Sequence, residues 1–334
     1  MKKFTKILAL VTVVAMLVCC FASCGQTNSD NNATTAANAD TDKVYKVGIC
    51  QLVQHEALDA ATKGFKEALK AKLGDKVEFD EQNASGKAEN CQVIVNKFIS
   101  NKVDLIMANA TDALTSAATA TDKIPVVATS ITDFGTALNM QLNDGKTGIN
   151  VTGTSDLAPL DQQAAMIKEL VPTAKNVGII YCSSEKNSKY QVEQITKYLK
   201  DLGIEAKSYP FADTKDISTV AQKAVTECDA LYAPTDNTVA DNSAAINNIA
   251  EPAGKPLIAG EQGICKGCGI ATLSITYYDI GYKAGEMAYE ILATGKDPKD
   301  MKIEYSDKFE KLYSKDRCEK LGIKIPSDYK AIEE

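Results

Sequence analysis

The chain has 334 residues, 45% apolar and 24% charged, with 37 basic against 44 acidic side chains and a formal charge of −7; this is enough for two domains with their own cores and offers no basic stripe to meet nucleic acid. Arg317 is the only arginine, His55 the only histidine, and tryptophan is absent. A bidentate clamp on carboxylate or phosphate therefore has one arginine to draw on, a Ser-His or Cys-His dyad would have to use His55, and ring stacking falls to Tyr and Phe.

Residues 1–6 are basic, residues 7–18 form an apolar run, and Phe21-Ala22-Ser23-Cys24 follows. The run is too short to span a membrane, and 1–23 has the layout of a secretory signal. Small residues before a cysteine resemble a bacterial lipobox, which implies diacylglyceryl attachment to Cys24; the alternative is an ordinary signal peptide cleaved nearby. Residues 24–42, rich in Asn, Thr, Ala, Ser and Asp, read as a flexible lipid-anchored tether spanning roughly 20–25 Å. Without 1–23 the net charge is about −10, because that segment holds three lysines and no acid.

The spacing then predicts a strand over 44–50, a helix over 56–72 ending at Gly74, a strand over 77–80 and a helix to Ser100 with Ser85 as its N-cap. A strand at 104–108, a helix at 112–121 and a strand at 125–129 complete a first unit, and 151–156 reads as a crossing segment. The second unit has helices at 159–170, 188–202, 216–226 and 239–253, and strands at 176–181, 205–209, 230–233, 256–259 and 269–274. An amphipathic helix over 278–293 carries Gly281, Ala284, Gly285 and Ala288, small enough to pack closely on a sheet. The tail ends with an Ile323-Lys-Ile-Pro326 element.

The two units repeat each other. Val47-Gly48-Ile49 runs to Leu73-Gly74, and Val177-Gly178-Ile179 runs to Leu202-Gly203. Asp104-Leu-Ile-Met-Ala precedes Thr111-Asp112, and Asp229-Ala-Leu-Tyr-Ala precedes Thr235-Asp236. Alternating βα units imply parallel sheets with right-handed crossovers, hence two α/β lobes with a cleft between them. There is no GxGxxG after a strand, no GxxxxGK[ST] and no GxSxG, so cofactor, P-loop and hydrolase readings lose their support. Cys50, Cys91, Cys182, Cys228, Cys265, Cys268 and Cys318 form an odd set that reads mostly as small buried hydrophobes. Cys265-Lys-Gly-Cys268 is a lone CxxC without a second pair for zinc; it reads as loop thiols, with a disulfide or a metal or redox role as the other readings, and no cofactor is expected.

Three further stretches carry a resemblance: Val47-Gly-Ile-Cys-Gln-Leu-Val-Gln-His-Glu-Ala-Leu-Asp59, Ala233-Pro-Thr-Asp-Asn-Thr-Val239 and Ala271-Thr-Leu-Ser-Ile-Thr-Tyr-Tyr-Asp-Ile-Gly-Tyr-Lys-Ala-Gly285. With the lipobox and the duplicated body, the chain resembles the substrate-binding lipoproteins of ABC importers, in the family whose members include tryptophan, phenylalanine and tyrosine binders. The match covers 44–330. It implies the type I periplasmic binding protein fold: two Rossmann-like lobes of parallel sheet flanked by helices, joined by three crossovers, here placed near 152–157, 274–277 and 293–300. The first lobe is then 43–153 plus 278–296, and the second 154–277 plus 297–334. The resemblance implies no catalysis, an extracytoplasmic monomer on the outer face of the cell membrane, and ABC permease and ATPase subunits as partners. A sensory module for a partner receptor, or an importer component for a nucleoside or a branched-chain amino acid, are the other readings.

In open parallel sheets, ligands bind beyond the carboxyl ends of the strands. That rule selects loops 51–55, 109–112 and 129–133 in the first lobe, and 182–187, 235–237 and 260–263 in the second. For an amino acid, Thr111, Ser130 and Thr132 are the expected donors to the carboxylate. Asp236, with Glu261 second, is expected to hold the ammonium. Gln54, His55, Leu58 and Tyr277, with Tyr278 beside it, would face the side chain. Asp133 is a further candidate, and Asn237 a bridge between lobes.

Overall fold

The computed structural model describes residues 43–333. The expected signal peptide, the tether and Cys24 lie outside the described residues. No helix among the described residues is long and apolar enough to cross a membrane.

The first lobe alternates β1 (Tyr45–Gln51), α1 (Glu56–Leu73), β2 (Val77–Asn83), α2 (Ala88–Ser100), β3 (Leu105–Asn109), α3 (Thr111–Ala120), β4 (Val126–Ile131), α4 (Phe134–Leu138) and β5 (Val151–Ser155). The second continues with α5 (Leu160–Leu170), β6 (Asn176–Cys182), α6 (Lys186–Asp201), β7 (Glu205–Phe211), α7 (Ile217–Glu227), β8 (Ala230–Ala233), α8 (Asn237–Asp241), α9 (Ser243–Ala250), β9 (Leu257–Ala259), α10 (Gln262–Cys268) and β10 (Ala271–Ser274). The chain returns to the first lobe as α11 (Tyr277–Thr294) and β11 (Glu304–Tyr305). It ends in the second as β12 (Glu310–Tyr313), α12 (Lys315–Leu321) and β13 (Lys330–Ala331).

The sheets run β11-β5-β4-β3-β1-β2 and β13-β12-β10-β9-β8-β6-β7. Every pairing in the first is parallel; in the second, β12 runs antiparallel to β10. Strands covered on both faces need apolar side chains throughout, and β3 and β4 are buried from end to end. The internal repeat has a backbone cause at its Asp positions. Asp104 Oδ2 accepts from the Lys46 N–H at 2.8 Å, and Asp229 Oδ2 from the Lys175 and Asn176 N–H groups at 2.8 and 2.9 Å. Each carboxylate thus satisfies donors beside the first strand of its lobe.

The structure corrects several expectations. Ser85 does not cap α2; it sits at φ 54° and its N–H donates to Asn83 Oδ1, which makes a turn, while Lys87 occupies the cap. The helix expected over 239–253 is two helices, because Asn242 closes α8 by donating to the Thr238 carbonyl at 2.8 Å. Cys265 and Cys268 lie on α10 rather than in a loop, and both are buried. Helix α11 meets a helix as well as the sheet: a Cβ at Gly281 would run into the Ala61 carbonyl of α1, whereas Ala284 and Ala288 join the core under β1 and β4.

The third crossing also moves. Met301 and Ile303 are buried in the first lobe's core, and Glu304–Tyr305 pair with β5. The boundary expected at 297 therefore falls after 305, and the crossings are 156–159, 275–276 and 306–309.

Candidate functional site

The carboxyl ends of both sheets face one hollow. His55 reaches it from the N-cap of α1, Ser130 from the end of β4, Thr132 just beyond, and Leu58 from the first turns of α1. Thr235 and Asp236 follow β8, Glu261 follows β9, Tyr277 opens α11, and Asn237 opens α8. The lobes are closed over it. His55 Nε2 lies 3.3 Å from Asn237 Oδ1, Gln191 Nε2 lies 3.5 Å from Thr132 Oγ1, and Lys186 donates to the Ala137 carbonyl at 3.4 Å. In this arrangement about 10 Å³ is open to the centre of a water molecule, room for roughly one water.

Three buried carboxylates line the hollow. Asp236 caps α8: Oδ1 accepts from the Val239 N–H at 2.8 Å, and Oδ2 from the Cys182 N–H at 2.6 Å and the Ser188 hydroxyl at 2.7 Å. Burial and then the charge of Glu185 push its pKa well up. Glu261 caps α10 by accepting from the Gly263 N–H at 2.6 Å and from the Ile264 N–H. Burial raises its pKa against the pull of His55. Asp156, at the first crossing, accepts from the Thr132 hydroxyl at 3.1 Å and the Tyr277 hydroxyl at 3.0 Å, and burial pushes it up to about 6. No lysine or arginine lines the hollow among the described residues.

Two buried polar atoms here have no partner: Ser130 Oγ and His55 Nδ1. Native proteins seldom leave such groups unmade. Ser130 also holds φ at 58°, a left-handed conformation that costs a non-glycine residue energy and clusters at functional sites. A larger groove behind the hinge, bordered by Asp279, Lys283 and Tyr305, contains no such orphan.

Some expected residues lie elsewhere. Gln54 is exposed and faces a separate groove with Asp59 and Lys63. Thr111 is buried at the start of α3, with its carbonyl accepting from the Thr115 hydroxyl, and is not in the lining. Its Thr-Asp pair sits two positions further into a helix than Thr235-Asp236, because Ala110 takes the cap of α3, where Asp236 takes that of α8. Asp133 caps α4 through the Thr136 N–H at 2.7 Å. Tyr278 points outward and donates to Glu67. Asp156, Asn187, Thr235 and Ala240 join the lining without having been singled out. Asn187 and Thr235 belong to the selected loops, and Asp156 follows a strand end like the others.

The sequence family described as ABC transporter substrate binding protein matches residues 46–331. A tyrosine-binding protein of Clostridioides difficile is 34% identical over 98% of this chain and 96% of its own length. The structure of an ABC domain from Streptococcus pneumonia in complex with L-Trp superposes with a TM-score of 0.81 at 31% identity, covering 85% of this chain and 96% of that one. The ligand-free, open structure of a Clostridium difficile substrate binding protein with adhesive properties gives 0.68 at 35% identity, covering 87% and 99%. A lower superposition at higher identity is what a closed cleft in this chain produces against an open relative.

Proposed function

The chain belongs to the family of ABC transporter substrate binding proteins, and from that premise we propose that it captures an aromatic α-amino acid between its lobes and delivers it to an importer's permease. Proteins of this family bind solutes outside the cytoplasm and are not enzymes. The tether at 24–42 and a lipid on Cys24 would hold the body near the outer face of the membrane.

The observation that carries the ligand class is the charge of the hollow: Asp156, Asp236 and Glu261 line it with no lysine or arginine among the described residues. Such a site suits a cation that can be closed over and desolvated. The Ser130 hydroxyl, with Thr132 beside it, suits the amino acid's carboxylate, and His55 Nδ1, buried without a partner, is placed to meet a polar group of the ligand. Leu58 and Tyr277 supply apolar surface. The tyrosine and L-Trp named for the two relatives support an aromatic side chain. The closed hollow is smaller than such a ligand, so the lobes part to admit it and close around it, a hinge motion that ligand contacts on both sides favour.

A thermal-shift screen of the chain against aromatic, branched-chain and other amino acids, nucleosides and sugars tests this reading. L-tyrosine or L-tryptophan is expected to raise the melting temperature most. A branched-chain amino acid or a nucleoside as the strongest stabiliser would replace it.

A further inference from the structure

We propose that Asp156, rather than Asp236, is the carboxylate that holds the ligand's ammonium, and that it does so from the hinge itself. This rests on the amino-acid reading of the cleft and says which acid recognises the charge.

The three acids are not equally available. Asp236 is held by three donors of its own lobe, two of them backbone N–H groups. Glu261 has one backbone N–H of its own helix on each oxygen. Both are committed to capping, a task that persists whether or not a ligand is present. The Asp156 oxygens have side-chain hydroxyls as hydrogen-bond donors, one from Thr132 and one from Tyr277. A hydroxyl donates one proton and can turn to another acceptor, so these bonds can rearrange when an ammonium enters.

Position strengthens the assignment. The Asp156 N–H donates to the Ile131 carbonyl at 3.2 Å, which ties the residue to the end of β4 in the first lobe. The next residue, Leu157, already packs against the second lobe's core. The Tyr277 hydroxyl links this first crossing to the second. Asp236 and Glu261 travel with the second lobe, whereas Asp156 stays at the pivot and meets the ligand before and after closure. An independent sign of a ligand stands beside it: Ser130 Oγ, in a residue only 5% exposed, lines the same hollow without a partner.

Burial gives the coupling a direction. The titratable groups that share the hollow with Asp156 are His55 from α1, Asp236 from α8, Glu261 from α10 and Tyr277 from α11. In the closed cleft burial lifts Asp156 to about 6. A bound ammonium opposes that lift and holds Asp156 ionised in the closed complex.

The test is calorimetric titration of the purified full chain with L-tyrosine, L-tryptophan and the deaminated acid 3-(4-hydroxyphenyl)propanoate. The wild-type chain is expected to bind L-tyrosine or L-tryptophan, and to prefer its amino acid to the deaminated acid by about 100-fold or more. Asp156→Asn should bring L-tyrosine and its deaminated acid within about tenfold of each other. An Asp156→Asn chain that keeps the full preference, or an Asp236→Asn chain that alone loses it, overturns the assignment and leaves the amino-acid reading standing. A wild-type chain that binds neither amino acid overturns both.

Discussion

Asn237 of the second lobe meets His55 of the first, its Oδ1 lying 3.3 Å from Nε2 across the cleft. The orientation is determined on the far side, where Asn237 Nδ2 donates to Glu185 at 2.8 Å. With the amide nitrogen committed there, its oxygen must face the imidazole, which donates through Nε2, while Nδ1 is buried without a partner. Asn237→Ala breaks this bridge. Ligand affinity is expected to fall about tenfold, mainly through faster release, as stopped-flow dissociation would record.

Glu185 is the hidden support of that bridge. Its carboxylate accepts from Asn187 Nδ2, from both the N–H and Nδ2 of Asn237, and from the N–H and hydroxyl of Thr238, at 2.7–3.0 Å. Glu185→Ala strands these donors, and the chain is expected to lose about 3 kcal/mol of stability in urea unfolding.

Ser130 separates stability from binding. Its hydroxyl is buried without a partner, so Ser130→Ala removes an unmet polar group. The ligand-free protein should be as stable as wild type or more stable by about 1 kcal/mol, while amino-acid affinity drops about tenfold. Parallel melting and titration curves check both halves; a variant that loses stability and keeps affinity contradicts the role given to this hydroxyl.

Asp156 gives a pH signature. An aspartate in an unfolded chain titrates near about 3.9, and burial raises Asp156 to about 6 in the folded state. Between those values the native state binds more protons than the unfolded one. Its contribution therefore favours the fold at low pH and is lost as pH rises through about 6. Asp156→Asn removes this dependence. The variant should exceed wild type by on the order of 2 kcal/mol at pH 7.5, with the difference vanishing below about pH 4, as unfolding measured across that range would show.

The glycine at 281 is a packing requirement. A Cβ there meets the Ala61 carbonyl, which is backbone and cannot turn away. Gly281→Ala should force α11 off α1 and cost about 3 kcal/mol or more, read as an earlier melting transition.

Much of this architecture can be read from apolar runs at strand length alternating with helical spacing, because parallel strands covered on both faces leave that mark. Short elements leave little: Glu304–Tyr305 is two residues long and exposed, so the third crossing shifts by about ten residues from its expected place. The same limit hides α4, α12 and β12. The strand-end rule brings His55, Ser130, Thr132, Asp236 and Glu261 into the lining because it depends only on topology. It cannot tell a side chain that faces the hollow from one turned into its own lobe, which is why Asp133, the cap of α4, and Thr111, buried in the first turn of α3, fall outside. Asp156 is obscured for another reason. It lies where the chain leaves one lobe for the other, and only the folded crossing shows that it turns inward.

The most direct test of the account is calorimetric titration of the purified chain with L-tyrosine and L-tryptophan beside a small-angle scattering curve of each mixture. The account predicts one bound amino acid per chain and a smaller radius of gyration when it is bound, both weakened by Ser130→Ala. Saturable binding with no compaction, or binding that Ser130→Ala leaves unchanged, would contradict it.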